Sequence, residues 1–217
     1  PIFYSDRPAI LVIFLGEPKF KPVQGTDLLF AANTNWDLFL EVGTGRYYLL
    51  NGEGWLTTQD IQKGPWEPAR QLAPDLSKLP DDPNWADVKK RVPGTPSATA
   101  PVVIVSQQPA ELIVTDGQPA FAPISGTRLL YVTNSEDDLF LHSGEANYYF
   151  LAAGRWFRSK KLEGPWSAAS KDLPPDFASI PEGHAKGDVL ASVPHTPQAE
   201  EAVIQATIPK TATVKRN

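Results

Sequence analysis

Two tyrosine pairs and the tryptophans that follow them are the side chains here best suited to hold a ligand. Tyr47-Tyr48 and Tyr148-Tyr149 are each followed by a tryptophan, Trp55 or Trp156, and then by a Gly-Pro-Trp triplet ending in Trp66 or Trp166. A flat aromatic face packs against the axial C–H bonds of a sugar ring while the sugar hydroxyls take neighbouring polar partners. Tyr47, Tyr48, Trp55, Trp66, Tyr148, Tyr149, Trp156 and Trp166 therefore form the candidate ligand-binding set. The competing explanation is that they are the largest core residues of small β units with few other means of burying apolar area. Both explanations account for the recurrence, because duplication copies cores and sites alike.

Catalytic chemistry finds no comparable constellation. The chain has no cysteine, which removes thiolate nucleophiles, disulfides and cysteine-ligated metals. His142, His184 and His195 lie singly in the second half, without ligands at metal-site spacing, so neither a metal nor a cofactor is expected. No nucleophile elbow, glycine-rich phosphate cradle or repeated carboxylate pair is recognisable. Asp81-Asp82 and Glu200-Glu201 do not recur and read as solvated charge. Asp37 and Asp138, with Asn33 and Asn134, are placed either to orient a ligand hydroxyl or to make the Asx turns that open a strand. Trp36 and Trp85 face Asp137 and Lys186 in the other half, so they fall outside the shared core plan and become secondary ligand-contact candidates. The chain is read as non-catalytic.

These residues recur because the chain repeats itself at a shift of 101 positions. Pro8 to Phe30 matches Pro109 to Tyr131, Asp37 to Trp55 matches Asp138 to Trp156, and VPGTP at Val92 matches VPHTP at Val193. The first copy carries one extra residue between Trp55 and Gly64, and the register returns at Asp75 and Asp176. The expected organisation is a repeat module over 1–107, a second over 108–208, and the start of a truncated third over 209–217, where IPKTATV falls opposite QPAELIV. Together with the initial proline, that third start leads to the expectation of a longer parent chain.

Short apolar runs separated by Gly, Asn and Pro turns predict an all-β fold, each copy a small antiparallel meander with little helix. Asn51-Gly52 and Ala153-Gly154 mark a tight hairpin between the tyrosine and tryptophan strands. Alternation puts Tyr48 and Leu50 on one face and Tyr47 and Leu49 on the other, so the sheet is covered on both sides. The proline-dense segments LAPDLSKLPDDPNW and LPPDFASIPEGHAK are expected to wrap it. Brief helix is expected over Pro83–Val92 and over Thr196–Ala206, the latter capped by Thr196.

The 217 residues carry a net charge of −5, spread evenly over both halves, with no basic face to attract nucleic acid or anionic membrane. The longest apolar run, Ala9 to Leu15, is far shorter than the ~18 residues of a spanning helix, so membrane insertion is not expected. The absence of both cysteine and methionine suits an oxidising, extracytoplasmic setting. Polysaccharide or another protein is the expected partner.

The blocks LIVTDGQPAFAPISGTRLLYVTN, DLFL, YYFLAAGRWFRSKKLEGPWS, LPPDFASIP and VLASVPHTPQAEEAV resemble bacterial tandem-repeat proteins of carbohydrate-binding family V/XII. The resemblance implies a glycan-binding module of an envelope or secreted protein, with Tyr148, Tyr149, Gly154, Trp156 and Trp166 on a short aromatic sheet. The adjacent tryptophan pair usual in chitin-binding modules is missing. The Tyr-Tyr, Trp, Pro order also resembles WW domains, whose first tryptophan would fall at Trp36, where the second copy has Asp137. The alternative function is a structural repeat that mediates protein assembly, with every recurrent aromatic in the core.

Overall fold

The computed structural model describes residues 1–207; the start of a third repeat at 209–217 lies outside the described residues. In the first half, β1 (Ile2–Ser5) and β2 (Ala9–Ile13) precede a meander of β3 (Phe20–Pro22), β4 (Leu28–Ala31), β5 (Leu38–Glu41), β6 (Arg46–Asn51), β7 (Gly54–Thr58) and β8 (Glu67–Pro68). The second half repeats the order with β9 (Val102–Ser106), β10 (Glu111–Val114), β11 (Phe121–Pro123), β12 (Leu129–Val132), β13 (Asp138–His142), β14 (Asn147–Ala152), β15 (Arg155–Ser159) and β16 (Ser167–Ala168). Each meander is a six-stranded sheet with strands in sequence order, all neighbours antiparallel. The fold is two β modules with little helix: α1 (Ala86–Lys89), α2 (Pro197–Thr207) and a few 3₁₀ turns. Thr196 caps α2 as expected, its hydroxyl accepting from the Ala199 N–H at 3.1 Å.

The chain divides into two compact units that are not a linear cut. One holds Arg7–Leu112 with Pro1, and the other holds the described residues from Ile113 onward together with Ile2–Asp6. In the first unit β2 pairs in parallel with β9, Ala9 opposite Val102 and Ile13 opposite Ser106. β10 pairs with β1, in the second unit through Thr115 N–H to Ser5 O at 3.0 Å. The first ribbon thus uses β9, the strand that follows the first meander, whereas the second uses β1 from the start of the chain.

In the first unit the ribbon covers one face of the meander. Val12 and Phe14, with Val103 and Val105 beside them, pack on Ala31, Leu38, Leu49 and Leu56. On the other face the proline-rich segment wraps as expected, bringing Ala73, Leu76, Leu79 and Val88 against Leu28, Phe39, Tyr48 and Trp55. The second unit has the same two layers, with Phe177, Ile180, Val189 and Leu190 over Phe140, Tyr149 and Trp156. Ile2 and Tyr4 lie with Ile113 over Leu139 and Phe150. An apolar residue at nearly every strand position makes sense only in a sheet buried twice over.

The hairpin between β6 and β7 turns at Gly52, with φ of 62°, and its counterpart at Ala153-Gly154 holds Ala153 at φ 49°. At the end of the wrap, Gly94 takes φ 72° and is replaced by His195 at φ 67°. The left-handed backbone is thus kept where the glycine is not, which assigns His195 a place in the turn geometry.

Candidate functional site

The eight candidate residues separate by sheet face. Tyr48, Trp55, Tyr149 and Trp156 are 5%, 2%, 0% and 0% exposed, in the layer beneath the wrapping segment. They form no open platform, because the proline-rich segment covers the face they share. The two tryptophans also fasten that segment. The indole N–H of Trp55 donates to Arg91 O and that of Trp156 to Ser192 O, both at 2.8 Å. Core burial decides the position of these four residues.

Tyr47, Trp66, Tyr148 and Trp166 are half-buried on the opposite, ribbon-covered face. Tyr47 lies 5.7 Å from Phe20, and Tyr148 lies 6.4 Å from Phe121, centroid to centroid. Phe121 is 39% exposed. In the first unit Phe20 and Tyr47 line an open cleft of about 620 Å³, flanked by Glu17, Gln59, Asp60 and Gln62. The phenylalanines were missed in the sequence, although they recur at the same shift, because the three-residue strands FKP and FAP show no periodicity.

A second cleft of about 620 Å³ opens beside Tyr48, lined by Glu41, Arg46, Thr57 and Arg70 among others. Thr57 is the strand partner of Tyr48, whereas the partner of Tyr149 is Arg158. Arg158 pairs with Asp172 at 3.0 Å, and the Tyr149 hydroxyl donates to Glu145 at 2.6 Å. Thr57 thus stands where the second unit carries this long, ion-paired arginine. Burial, reinforced by Glu41 in one case and Glu145 in the other, pushes the Tyr48 and Tyr149 hydroxyls above the ordinary tyrosine pKa. Both are protonated donors at neutral pH.

Three of the four remaining polar candidates, Asn33, Asn134 and Asp138, are engaged by the fold. Asn33 Nδ2 donates to Leu15 O and Glu17 O while its Oδ1 accepts from the Lys19 N–H, and Asn134 makes the same three bonds to Asp116, Gln118 and Ala120. These asparagines staple the loop before β3 or β11, using both amide N–H donors and one lone pair of the oxygen. Asp138 accepts from Lys186 Nζ at 3.2 Å. Among the described residues no three His, Asp or Glu side chains gather as metal ligands.

The unmatched residues are built into the packing, which corrects their reading as outside the core plan. Trp85 stands edge-on to Phe30 at 5.0 Å and against Phe39 at 5.5 Å. In the second unit His184 takes that place, edge-on to Tyr131 at 5.0 Å. Trp36 donates its indole N–H to Leu11 O at 2.9 Å, whereas Asp137 accepts the Val114 N–H at 2.9 Å. His142 is fully buried. Its Nδ1 accepts from the Glu145 N–H at 3.1 Å, which leaves Nε2–H to donate to Asp176 at 3.0 Å.

The extra residue of the first copy has a local consequence. Gly164 N–H closes its loop on Lys161 O, whereas Gly64 N–H reaches one residue further back in spacing, to Asp60 O. Trp166 then donates to Leu162 O at 3.1 Å, while the Trp66 indole N–H is buried without an acceptor among the described residues. An unpaired buried donor costs about 1–3 kcal/mol. Trp166→Phe is therefore expected to destabilise its unit by about 1–2 kcal/mol more than Trp66→Phe destabilises the other. Urea midpoints of the two variants check this; equal losses would remove the insertion from the explanation.

Comparison with known proteins gives no relative: no protein-family model, curated protein or solved structure matches the chain.

Proposed function

We propose that the chain is a non-catalytic tandem glycan-binding module, contacting sugar through the ring pairs Phe20–Tyr47 and Phe121–Tyr148. The observation that carries this reading is their recurrence at partial exposure in both copies, in the first unit at the mouth of a cleft with Glu17, Gln59 and Asp60 beside it. Rings supply the apolar contact, and amides and carboxylates supply partners for hydroxyls. Aromatic contacts of about 0.5–1.5 kcal/mol each make for weak single sites. Two sites on one chain gain avidity on a polymer that both reach, which gives duplication its use. An extracytoplasmic setting, in the bacterial envelope or outside the cell, suits such a ligand.

The assembly reading is kept as the alternative because the β1–β10 ribbon joins strands of different copies. Retention on a panel of insoluble polysaccharides distinguishes the two. Tyr47→Ala with Tyr148→Ala is expected to reduce retention at least tenfold with the melting temperature changed by only a few degrees, since both side chains are half-buried. No retention of the native chain on any polysaccharide would favour assembly, and undiminished retention of the double variant would remove the ring pairs from the site.

A further inference from the structure

The leading strand of each copy is too close in sequence to its own second strand to pair with it as the ribbons require. Only Asp6–Pro8 separates β1 from β2, and only Gln107–Ala110 separates β9 from β10. The β2–β9 pairing is parallel. In the other ribbon, acceptors Pro1, Ser5 and Asp6 rise with donors Glu111, Thr115 and Gly117, so those strands also run in the same direction. Parallel neighbours need a connection of a dozen or more residues. A second strand is therefore closed only by a leading segment that lies most of a module or more away: β2 by β9, which follows the first meander in the same compact unit, and β10 by β1 from the start of the chain.

A third occurrence of the leading segment shows what it does without an acceptor. At the same shift of 101, Val102–Ser106 falls on Val203–Thr207, following TPSA at Thr95 and TPQA at Thr196. Both acceptors, β2 and β10, are already filled by β9 and β1. Val203–Thr207 forms the end of α2 instead, with Val203 64% and Ile204 61% exposed. The segment is a strand where an edge is offered and a helix end where none is.

We propose that the leading strand is an exchangeable donor, and that the β10 edge is a docking site for the leading strand of another copy of this repeat, from the same chain or from a second molecule. Backbone hydrogen bonds supply affinity, and alternate side chains supply specificity, as in other cases of strand addition. Ile2 and Tyr4 pack on the cluster around Ile113, and the Tyr4 hydroxyl meets Thr115 Oγ1 at 2.7 Å. A strand lacking these two side chains is a poor substitute.

The test uses the whole chain carrying Ile2→Asp, which puts a charge into that apolar layer and releases β1 from its edge. A labelled peptide of residues 1–6, PIFYSD, is added with a scrambled peptide as control. The variant is expected to take up one peptide per chain, at least tenfold more than the native chain at equal concentration, and to regain slow hydrogen exchange at the Thr115 and Gly117 amides. Uptake no better than the scrambled peptide, with the β13 and β14 amides still protected, would overturn the proposal. Should the variant fail to fold, exchange in the native chain decides. Thr115 and Gly117 are expected to exchange faster than the β13–β14 amides in a step that excess PIFYSD slows, and exchange together with that sheet, unaffected by peptide, would overturn it.

Discussion

Trp156→Ala is expected to cost the second unit about 3–5 kcal/mol, the range for truncating a fully buried large aromatic. The side chain has no exposed surface and lies 4.7 Å from Phe177 and 5.8 Å from Phe140, ring to ring. Its loss also strips the Ser192 carbonyl of its donor and frees the wrapping segment. A domain of this size has a total stability of about 5–15 kcal/mol, so much of the folded population is at stake. Calorimetry is expected to show the second unit melting well below the first; a shift of only a degree or two would mean that the wrap holds without its tryptophan. Any fall in glycan retention of this variant therefore reports unfolding, and Tyr148→Ala is the cleaner probe of binding.

Asp176→Ala is expected to cost about 1–3 kcal/mol, because it strands the ring N–H of the fully buried His142, which cannot reach water. The carboxylate accepts from the Arg128 N–H at 2.8 Å, from His142 Nε2 at 3.0 Å and from the Arg128 guanidinium at 3.3 Å. Partial burial alone would raise its pKa, but these hydrogen bonds and the Arg128 charge outweigh burial and hold the carboxyl well below the usual aspartate range. A depressed native pKa means that the folded state binds fewer protons than the unfolded chain. The stabilisation is complete above the unfolded value of about 3.9 and is lost as pH falls through the lower native one. The urea midpoint of the second unit should therefore drop steeply below about pH 4, and Asp176→Asn should flatten that slope. Parallel slopes for native and variant chains would assign the acid sensitivity elsewhere. Asp75, the counterpart, accepts from the Asp27 N–H at 2.7 Å and pairs with Lys78 at the surface, so its removal should matter less.

Much of the architecture was legible because it rests on local regularities. The alternation through Tyr47-Tyr48-Leu49-Leu50 gave the two faces of β6, the Gly52 and Ala153-Gly154 turns gave the hairpins, and the proline spacing gave a wrap rather than a helix. The exchange of leading strands was invisible for a different reason. A repeat period is the same whether a strand pairs within its own copy or with the other. The candidate site was half legible. Spacing found Tyr47 and Tyr148 but could not tell them from Tyr48 and Tyr149, one residue along and across the sheet. Comparing the copies position by position also misled, because Trp85 is replaced in space by His184, two positions before its aligned counterpart Lys186. Glu41 occupies the place of His142 and Thr44 that of Glu145, while Asp75 keeps the acid of Asp176, so the buried network of the second unit arose around an aspartate that both copies share.

The ribbons balance at every copy number. Each copy brings one donor strand and one acceptor edge, so an array always holds as many donors as edges: β2 takes the donor that comes next along the chain, and the last edge, β10, takes the first donor, β1. What changes with length is the distance that this first donor must cover to meet the last edge. An array too long for its first strand to return would leave one edge bare, and bare edges are where sheets aggregate.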